Sequence, residues 1–314
     1  MIGLKNMKME GEKVFNEVHF EIQNKCLLNC KHCSSKKIRM GYSCKYGLKE
    51  MKSIIDTING PIHIFFTGGE PLIEDSILNY IRELKKYRES IEIGVFTCGL
   101  INSDEGVKSI SQEKAIYYKS VGLSNCYISI YDLEEKMHSK ITNMKDSLKY
   151  TLDTIKNFIS VGIIVKIHLV LNKYNIGKIE ELIKELEELG VEEIRILRLV
   201  KSGSAIDHWD EIGVDYKQQN NVIKNIINNI NKYNVKLTIS GFPDEVPCRP
   251  FDGAYKCQGG TNVLYVELNG DIYPCACTKS DERFRIGHIS QIDLIEKYKR
   301  SCSKYNDLCL NPLK

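Results

Sequence analysis

Cys26, Cys30 and Cys33 sit in "NKCLLNCKHC", separated by steps of four and three residues. Thiolates bind soft metals and iron–sulfur clusters, and a closed zinc site or a closed four-iron cluster takes four ligands. Three thiols in one loop leave one metal position unclaimed by protein, and an open iron can chelate a small ligand. The alternative use of the same thiols is a zinc site completed by His32 or Cys44. Further on, "FFTGGEPLI" sets Gly68, Gly69 and Glu70 directly after an apolar run. Two glycines there let the backbone approach a ligand closely or adopt positive φ, and Glu70 offers a carboxylate at the same place.

Cysteine is the abnormal number in the composition. The chain has 314 residues and 12 cysteines, and without a secretory signal clustered thiols are better explained by metal ligation or catalysis than by a disulfide framework. Six of them, at 248, 257, 275, 277, 302 and 309, gather near the C-terminus. Cys44, Cys98 and Cys126 stand singly, and each reads as a small buried apolar residue. The remaining numbers are ordinary: 42% hydrophobic, 27% charged and a net charge of +3, enough for one large α/β domain with a smaller appendage. Lys and Glu intersperse along stretches such as "KIEELIKELEELG", so neither nucleic acid nor an anionic membrane is required as a partner. No stretch approaches the roughly 18 uninterrupted apolar residues of a membrane span. A cytoplasmic location is expected.

The elements that must position these groups follow from periodicity. "EVHFEIQ", "IHIFFTGG", "IEIGVFTCG", "CYISIYD", "IIVKIHLVLN" and "IRILRLV" are short β-branched and aromatic runs, separated by helical patterns such as "SLKYTLDTIKNFISVG". Such alternation implies parallel βα units, and the strands read as continuous apolar runs covered on both faces. In a barrel of such units functional groups cluster on loops after the strands. "NKCLLNCKHC", "TGGEP", "TCG" and "YDLEEKMH" all fall there, so four loops are expected to converge on one mouth.

With its C-x3-C-x2-C loop and its GGE one strand later, the sequence resembles the radical S-adenosylmethionine (SAM) superfamily over roughly residues 14–205. The resemblance implies a partial (β/α)6 TIM-like barrel. It also implies a 4Fe–4S cluster on Cys26, Cys30 and Cys33 whose fourth iron takes SAM's amino and carboxylate groups. His32 stands where the family usually has an aromatic residue. Gly68, Gly69 and Glu70 would meet SAM's amino group. "VFTCGL" resembles the family's Thr-Asn-Gly, giving Thr97 as a contact with Cys98 in place of Asn. "SIYD" resembles Ser-Leu-Asp-Gly, giving Ser129 as a contact, with Asp132 holding the acid one place later than usual. In "MHSKITN" Thr142 replaces the arginine that binds SAM's carboxylate, and Lys140 is the candidate substitute. Asn172 is a candidate ribose contact or an ordinary strand cap.

Beyond residue 205 the character changes. Residues 206–240 read as a linker helix and strand, the helix having a core-facing Ile spacing. Residues 241–314 form a Cys-rich segment in which "VLYVELNGDIYPC" reads as a hairpin turning at Asn269-Gly270. Twelve residues separate Cys257 from Gly270, and four more precede Cys275, a pattern that resembles the C-x9-15-G-x4-C of SPASM and twitch extensions. "RIGHI" resembles their Gly-Asn-Ile, with His288 for Asn. The full SPASM cysteine run is absent, so a shortened, twitch-like domain with one auxiliary 4Fe–4S cluster on Cys257, Cys275, Cys302 and Cys309 is expected. Cys277 or Cys248 could displace a ligand, and a structural zinc is the alternative occupant. Cys248 and Cys277 are also the candidate thiol hydrogen donors, should the reaction invert an α-carbon.

The function so implied is reductive cleavage of SAM to a 5′-deoxyadenosyl radical that abstracts hydrogen from a substrate, with a flavodoxin- or ferredoxin-type electron donor. A ribosomally made precursor peptide is the favoured substrate, for crosslinking, thioether formation or epimerisation. The chain starts almost directly at its first strand, which weighs against an N-terminal peptide-recognition domain. Small-molecule dehydrogenation, as of an amino sugar, is the alternative. A noncatalytic electron carrier is disfavoured, since four cysteines without GGE suffice for that role. Anaerobically reconstituted protein should bind two clusters, about eight irons, and changing Cys26, Cys30 and Cys33 together to Ala should leave one. Stoichiometric zinc without iron in both forms would refute the cluster reading.

Overall fold

The computed structural model describes residues 16–35, 43–242, 259–260 and 262–293. Six strands, β1 (Glu17–Gln23), β2 (His63–Gly68), β3 (Glu92–Thr97), β6 (Leu123–Ser129), β7 (Ile164–Val170) and β8 (Glu193–Leu197), pair side by side in that order, every pair parallel. Between β3 and β6 the chain inserts an antiparallel hairpin of β4 (Leu100–Ser103) and β5 (Gly106–Ser109). The helices α1 (Leu48–Asp56), α2 (Ser76–Tyr87), α3 (Gln112–Val121), α4 (Glu135–Thr142), α5 (Ser147–Ser160) and α6 (Ile179–Glu187) fill the connections. Their stripes explain why: α6 buries Ile179, Leu182, Ile183 and Leu186, the i, i+3, i+4, i+7 set that brings one helix face onto a sheet.

The strands differ from the expectation of two apolar faces. Val18, Phe20, Ile64, Phe66, Ile93, Val95, Cys126, Ile128, Ile167 and Leu169 join the helices in the main core. The alternate residues carry rings and polar groups instead: His19 lies 4.8 Å from Phe96, Phe65 stacks on Phe96 at 4.8 Å, and Tyr127 stacks on His168 at 4.3 Å. Among the described residues helices cover one face, while the other encloses the barrel interior, so the period-two alternation is that of a half-polar sheet.

The sheet extends past both ends of this set. After the short α7 (Trp209–Ile212) and α8 (Tyr216–Asn228), β9 (Lys236–Ser240) pairs parallel with β8. The 206–240 segment thus contains the expected helix and strand, and its strand continues the sheet, with Ile223 and Ile226 of the helix in the core. On the other side β10 (Val263–Val266) pairs parallel with β1. β10 and β11 (Asp271–Tyr273) form the expected antiparallel hairpin, Gly270 taking φ +92° at the turn, and β12 (Gly287–His288) adds beyond. His288 closes this turn through a 2.9 Å hydrogen bond between Nε2 and the Asn269 carbonyl.

One buried polar cluster ties β6, β8 and β9 together at the starts of the last two. Glu193, 2% exposed, accepts from Thr238 at 2.6 Å and Tyr127 at 3.1 Å, and it pairs with Arg195 at 3.1 Å and Lys236 at 3.3 Å. Burial pushes its carboxyl up, but Arg195, Thr238 and Lys236 outweigh that and hold it down at about 2. A carboxyl held below its ordinary 4.5 stabilises the fold fully above that value and loses the contribution as pH falls toward the folded-state value. Glu193→Gln should therefore destabilise the protein by about 3 kcal/mol at neutral pH, as removal of one partner of a buried pair does. Urea denaturation midpoints of mutant and wild type should converge in acid; a gap unchanged by acid would show that the charge is not the cause.

Candidate functional site

The three-cysteine loop leaves β1 and is laid directly on the turn after β2. Gly69 N–H donates to the Gln23 carbonyl at 2.6 Å and Glu70 N–H to the Lys25 carbonyl at 2.8 Å. Gly68 has φ +133°, and a Cβ on it would stand 2.2 Å from the Gln23 oxygen; one on Gly69 would stand 1.9 Å from the Lys25 oxygen. No side chain fits between backbones this close. Farther along, Asn29 and Lys31 N–H donate to the Thr142 and Ile141 carbonyls at 3.1 and 2.9 Å, and Ser204 N–H donates to the Cys33 carbonyl at 2.9 Å. Gly203 at φ +56° allows that last approach. The segments that follow β1, β2, β6 and β8 thus meet.

Glu70 is fully buried, and its carboxylate already has protein donors. Oε1 accepts from Leu72 N–H at 3.0 Å and Thr97 Oγ1 at 2.6 Å; Oε2 accepts from Cys98 N–H at 2.7 Å and the Cys98 thiol at 2.9 Å. Burial raises the carboxyl above its ordinary range, against the pull of these donors. Glu70 therefore orders the Thr97–Cys98 loop after β3. Cys98 is buried as expected of a small apolar residue, yet its thiol is engaged with Glu70 and packs with Leu28 and Leu100 near Cys30.

Just past the end of β6 at Ser129, Tyr131 is buried, and Cys30 packs against its cluster. The Tyr131 ring lies 4.5 Å from that of His32 and 5.5 Å from that of His138, so His32 packs where an aromatic residue would. Asp132 is buried, with Oδ1 accepting from Lys178 Nζ and Glu134 N–H, each at 2.9 Å. Thr142 is fully buried and its hydroxyl lies 2.8 Å from Ser147 Oγ; it meets the cysteine loop through its backbone carbonyl. Lys140 is exposed and sets Nζ 5.1 Å above the Tyr174 ring. Asn172 is spent locally, its side chain donating to Val170 O and accepting from Tyr174 N–H, the strand-cap arrangement. Tyr131, His138, Gly203 and Lys279 are the residues that sequence reasoning missed at this mouth. The only signal for Tyr131 was its place within "SIYD".

The loop fits a cluster. Burial pushes the Cys30 thiol well above its ordinary range, and the neighbouring Cys26 and Cys33 push it the same way; bound cations would relieve that mutual opposition. Among the described residues no three His, Cys, Asp or Glu side chains converge on a single ion, whereas a cluster gives each thiolate its own iron. His32 and Cys44, the alternative fourth ligands, are placed elsewhere, His32 against Tyr131 and Cys44 donating to the Tyr46 carbonyl at 3.3 Å. Asp132 Oδ2, His32 Nδ1 and His138 Nε2 are buried polar atoms without a protein partner, leaving polar capacity around the mouth. In the C-terminal segment Cys275 is half-buried and Cys277 exposed. Cys248, Cys257, Cys302 and Cys309 lie outside the described residues.

A barrel mouth with three thiols, a glycine-stitched turn and, among the described residues, no fourth protein ligand in place defines a class of enzyme. Residues 20–197 match the Radical SAM superfamily, and the chain belongs to it: it is a radical SAM enzyme whose cofactors are a 4Fe–4S cluster and SAM. It is 21% identical to the AdoMet-dependent heme synthase of Oleidesulfovibrio alaskensis, over 96% of this chain and 83% of that one. Streptococcus suis SuiB superposes with a TM-score of 0.67 at 15% identity, over 95% of this chain and 67% of that one. The enzyme anSMEcpe, with bound AdoMet and Cp18Cys peptide, gives 0.66 at 16% identity, over 94% and 83%. No helix among the described residues is long and apolar enough to cross a membrane.

The glycine stitching yields a direct test. Gly69→Ala should keep the barrel's circular dichroism but lose the iron of the three-cysteine loop, bringing iron content down to that of the triple-Ala protein. Full iron in Gly69→Ala would show that the loop does not depend on this backbone contact.

Proposed function

We propose that this radical SAM enzyme modifies a ribosomally made peptide, with Cys26, Cys30 and Cys33 holding the cluster and the Gly68–Glu70, Thr97 and Ser129 loops forming the SAM pocket. The observation that supports a peptide substrate is the likeness, over 93% and 94% of this chain, to SuiB bound to precursor peptide SuiA and to anSMEcpe bound to a peptide. When bound, the cluster and SAM supply a 5′-deoxyadenosyl radical. The chain's own residues position and insulate: the stitched turns fix the loop, and Leu27, Leu28, Leu100 and Val107 pack over it beside Cys30, keeping water off the reacting groups. An auxiliary cluster on Cys257, Cys275, Cys302 and Cys309 and a flavodoxin- or ferredoxin-type donor belong to the same proposal. Support for the cluster is local: Gly259 and Gly260, shortly after Cys257, lie against Cys275 and Pro274. Cys277, exposed, is the described candidate for a thiol hydrogen donor.

A second reading has its own support. The heme synthase relative aligns over 96% of this chain and 83% of its own length, which favours a tetrapyrrole as the small-molecule substrate in place of an amino sugar. The two are separated by anaerobic turnover with SAM and a chemical reductant, supplying a short peptide encoded beside the gene or a heme-precursor tetrapyrrole. Peptide modification predicts that the peptide raises 5′-deoxyadenosine formation and changes mass, while the tetrapyrrole does neither. Tetrapyrrole consumption with an unaltered peptide would replace the first reading by the second.

A further inference from the structure

A lysine from the C-terminal segment reaches into the base of the cluster loop. Lys279 follows Cys277 by two residues, and its side chain is 6% exposed. Its Nζ donates to Ser35 Oγ and stands 3.8 Å from Glu21 Oε1 and 5.4 Å above the Tyr265 ring. Glu21 and Ser35 are themselves buried, at 2% and 7% exposure. Glu21 lies on β1 before the cysteine loop and Ser35 lies two residues after Cys33. One ammonium therefore spans both ends of the segment that holds Cys26, Cys30 and Cys33.

A buried ammonium is costly to desolvate and is retained where it is paired and hydrogen bonded. Here its partners are three: a carboxylate that also accepts from the Tyr265 hydroxyl, a loop hydroxyl and a ring face. The adjoining tail residue Ser280 donates to the buried Glu267 at 2.7 Å, so the turn bearing Lys279 is itself anchored to the hairpin that extends the sheet beside β1. The strut is therefore braced at both ends, on the tail and on the loop.

We propose that Lys279 is a positioning residue for the barrel's cluster: it clamps the two ends of the cysteine loop from the C-terminal segment, and its positive charge eases reduction of the cluster in that loop. The electrostatic half follows from charge balance. One electron entering the cluster, from the external donor, adds one negative charge beside the ammonium, and net charge is among the terms that set cluster potentials. Removing the ammonium takes away one positive charge and leaves the Glu21 carboxylate uncompensated, so the potential moves downward. The mechanical half follows from Ser35, whose only role in the clamp is a hydrogen bond to a charged group.

The test uses the full chain, reconstituted anaerobically, and follows the paramagnetic resonance signal that changes when SAM is added, titrated against potential. Lys279→Gln should show a lower midpoint than wild type and Lys279→Arg should restore it. Ser35→Ala, which keeps the charge, should hold the midpoint near wild type yet lose iron to a ferrous chelator about ten-fold faster, the factor expected of one hydrogen bond to a charged group. Equal midpoints in wild type and Lys279→Gln, or equal iron release in wild type and Ser35→Ala, would overturn the proposal. Should Lys279→Gln fail to fold, iron release from Ser35→Ala decides. The proposal rests on the cluster occupying this loop, and the triple-Ala protein separates the two: a SAM-responsive signal persisting there would move the cluster elsewhere and overturn both, whereas equal midpoints alone remove only Lys279.

Discussion

Two backbone hydrogen bonds, from Gly69 to Gln23 and from Glu70 to Lys25, set the geometry on which the site depends. They exist only because nothing larger than hydrogen stands at residues 68 and 69. A Cβ there would stand 2.2 Å and 1.9 Å, respectively, from a carbonyl oxygen on the other segment, far inside van der Waals contact. The turn after β2 is thus part of the scaffold of the cysteine loop. Glu70, next in line, turns its carboxylate away to bind the Thr97–Cys98 backbone and side chains, which passes the same constraint on to the turn after β3. Three successive strand ends are locked by this chain of contacts before any cofactor is considered.

The barrel divides its polar groups by height. Toward the starts of β8 and β9, Glu193 gathers Arg195, Lys236, Thr238 and the Tyr127 hydroxyl from mid-β6, a network that satisfies its buried carboxylate. At the strand ends, Asp132, His32 and His138 keep buried atoms without protein partners. The rings of His19, Phe65, Phe96, Tyr127 and His168 lie between the two. Unsatisfied polar capacity costs stability, and these three atoms lie beside the cysteine loop, where a bound group can meet them.

The described strands of the C-terminal segment extend the barrel's sheet. β10 lies in parallel register beside β1, from Glu17 opposite Val263 to Phe20 opposite Val266. Tyr46 hydrogen bonds both the Glu21 and Val266 carbonyls, at 2.5 and 3.4 Å. The tail hairpin therefore lies directly beside the strand that leads into the cysteine loop.

The sequence by itself determined the strand and helix order, the hairpin at Asn269-Gly270, the three-thiol loop and the glycines after β2, because these rest on local pattern and on residue types that few roles accept. It also hinted at the half-polar strands, since "IVKIHLV" alternates, although a run of β-branched residues masks the alternation. Only the tertiary structure decided what Glu70, Asn172, Thr142 and Lys279 do. Each is a polar residue whose partner lies elsewhere in space: Glu70 meets residue 98, Lys279 meets residues 21 and 35, and Asn172 turns back on its own loop. Resemblance of motifs assigns such residues by position, but a hydrogen bond is settled by the distance and direction of its two ends, and those exist only once the chain has folded.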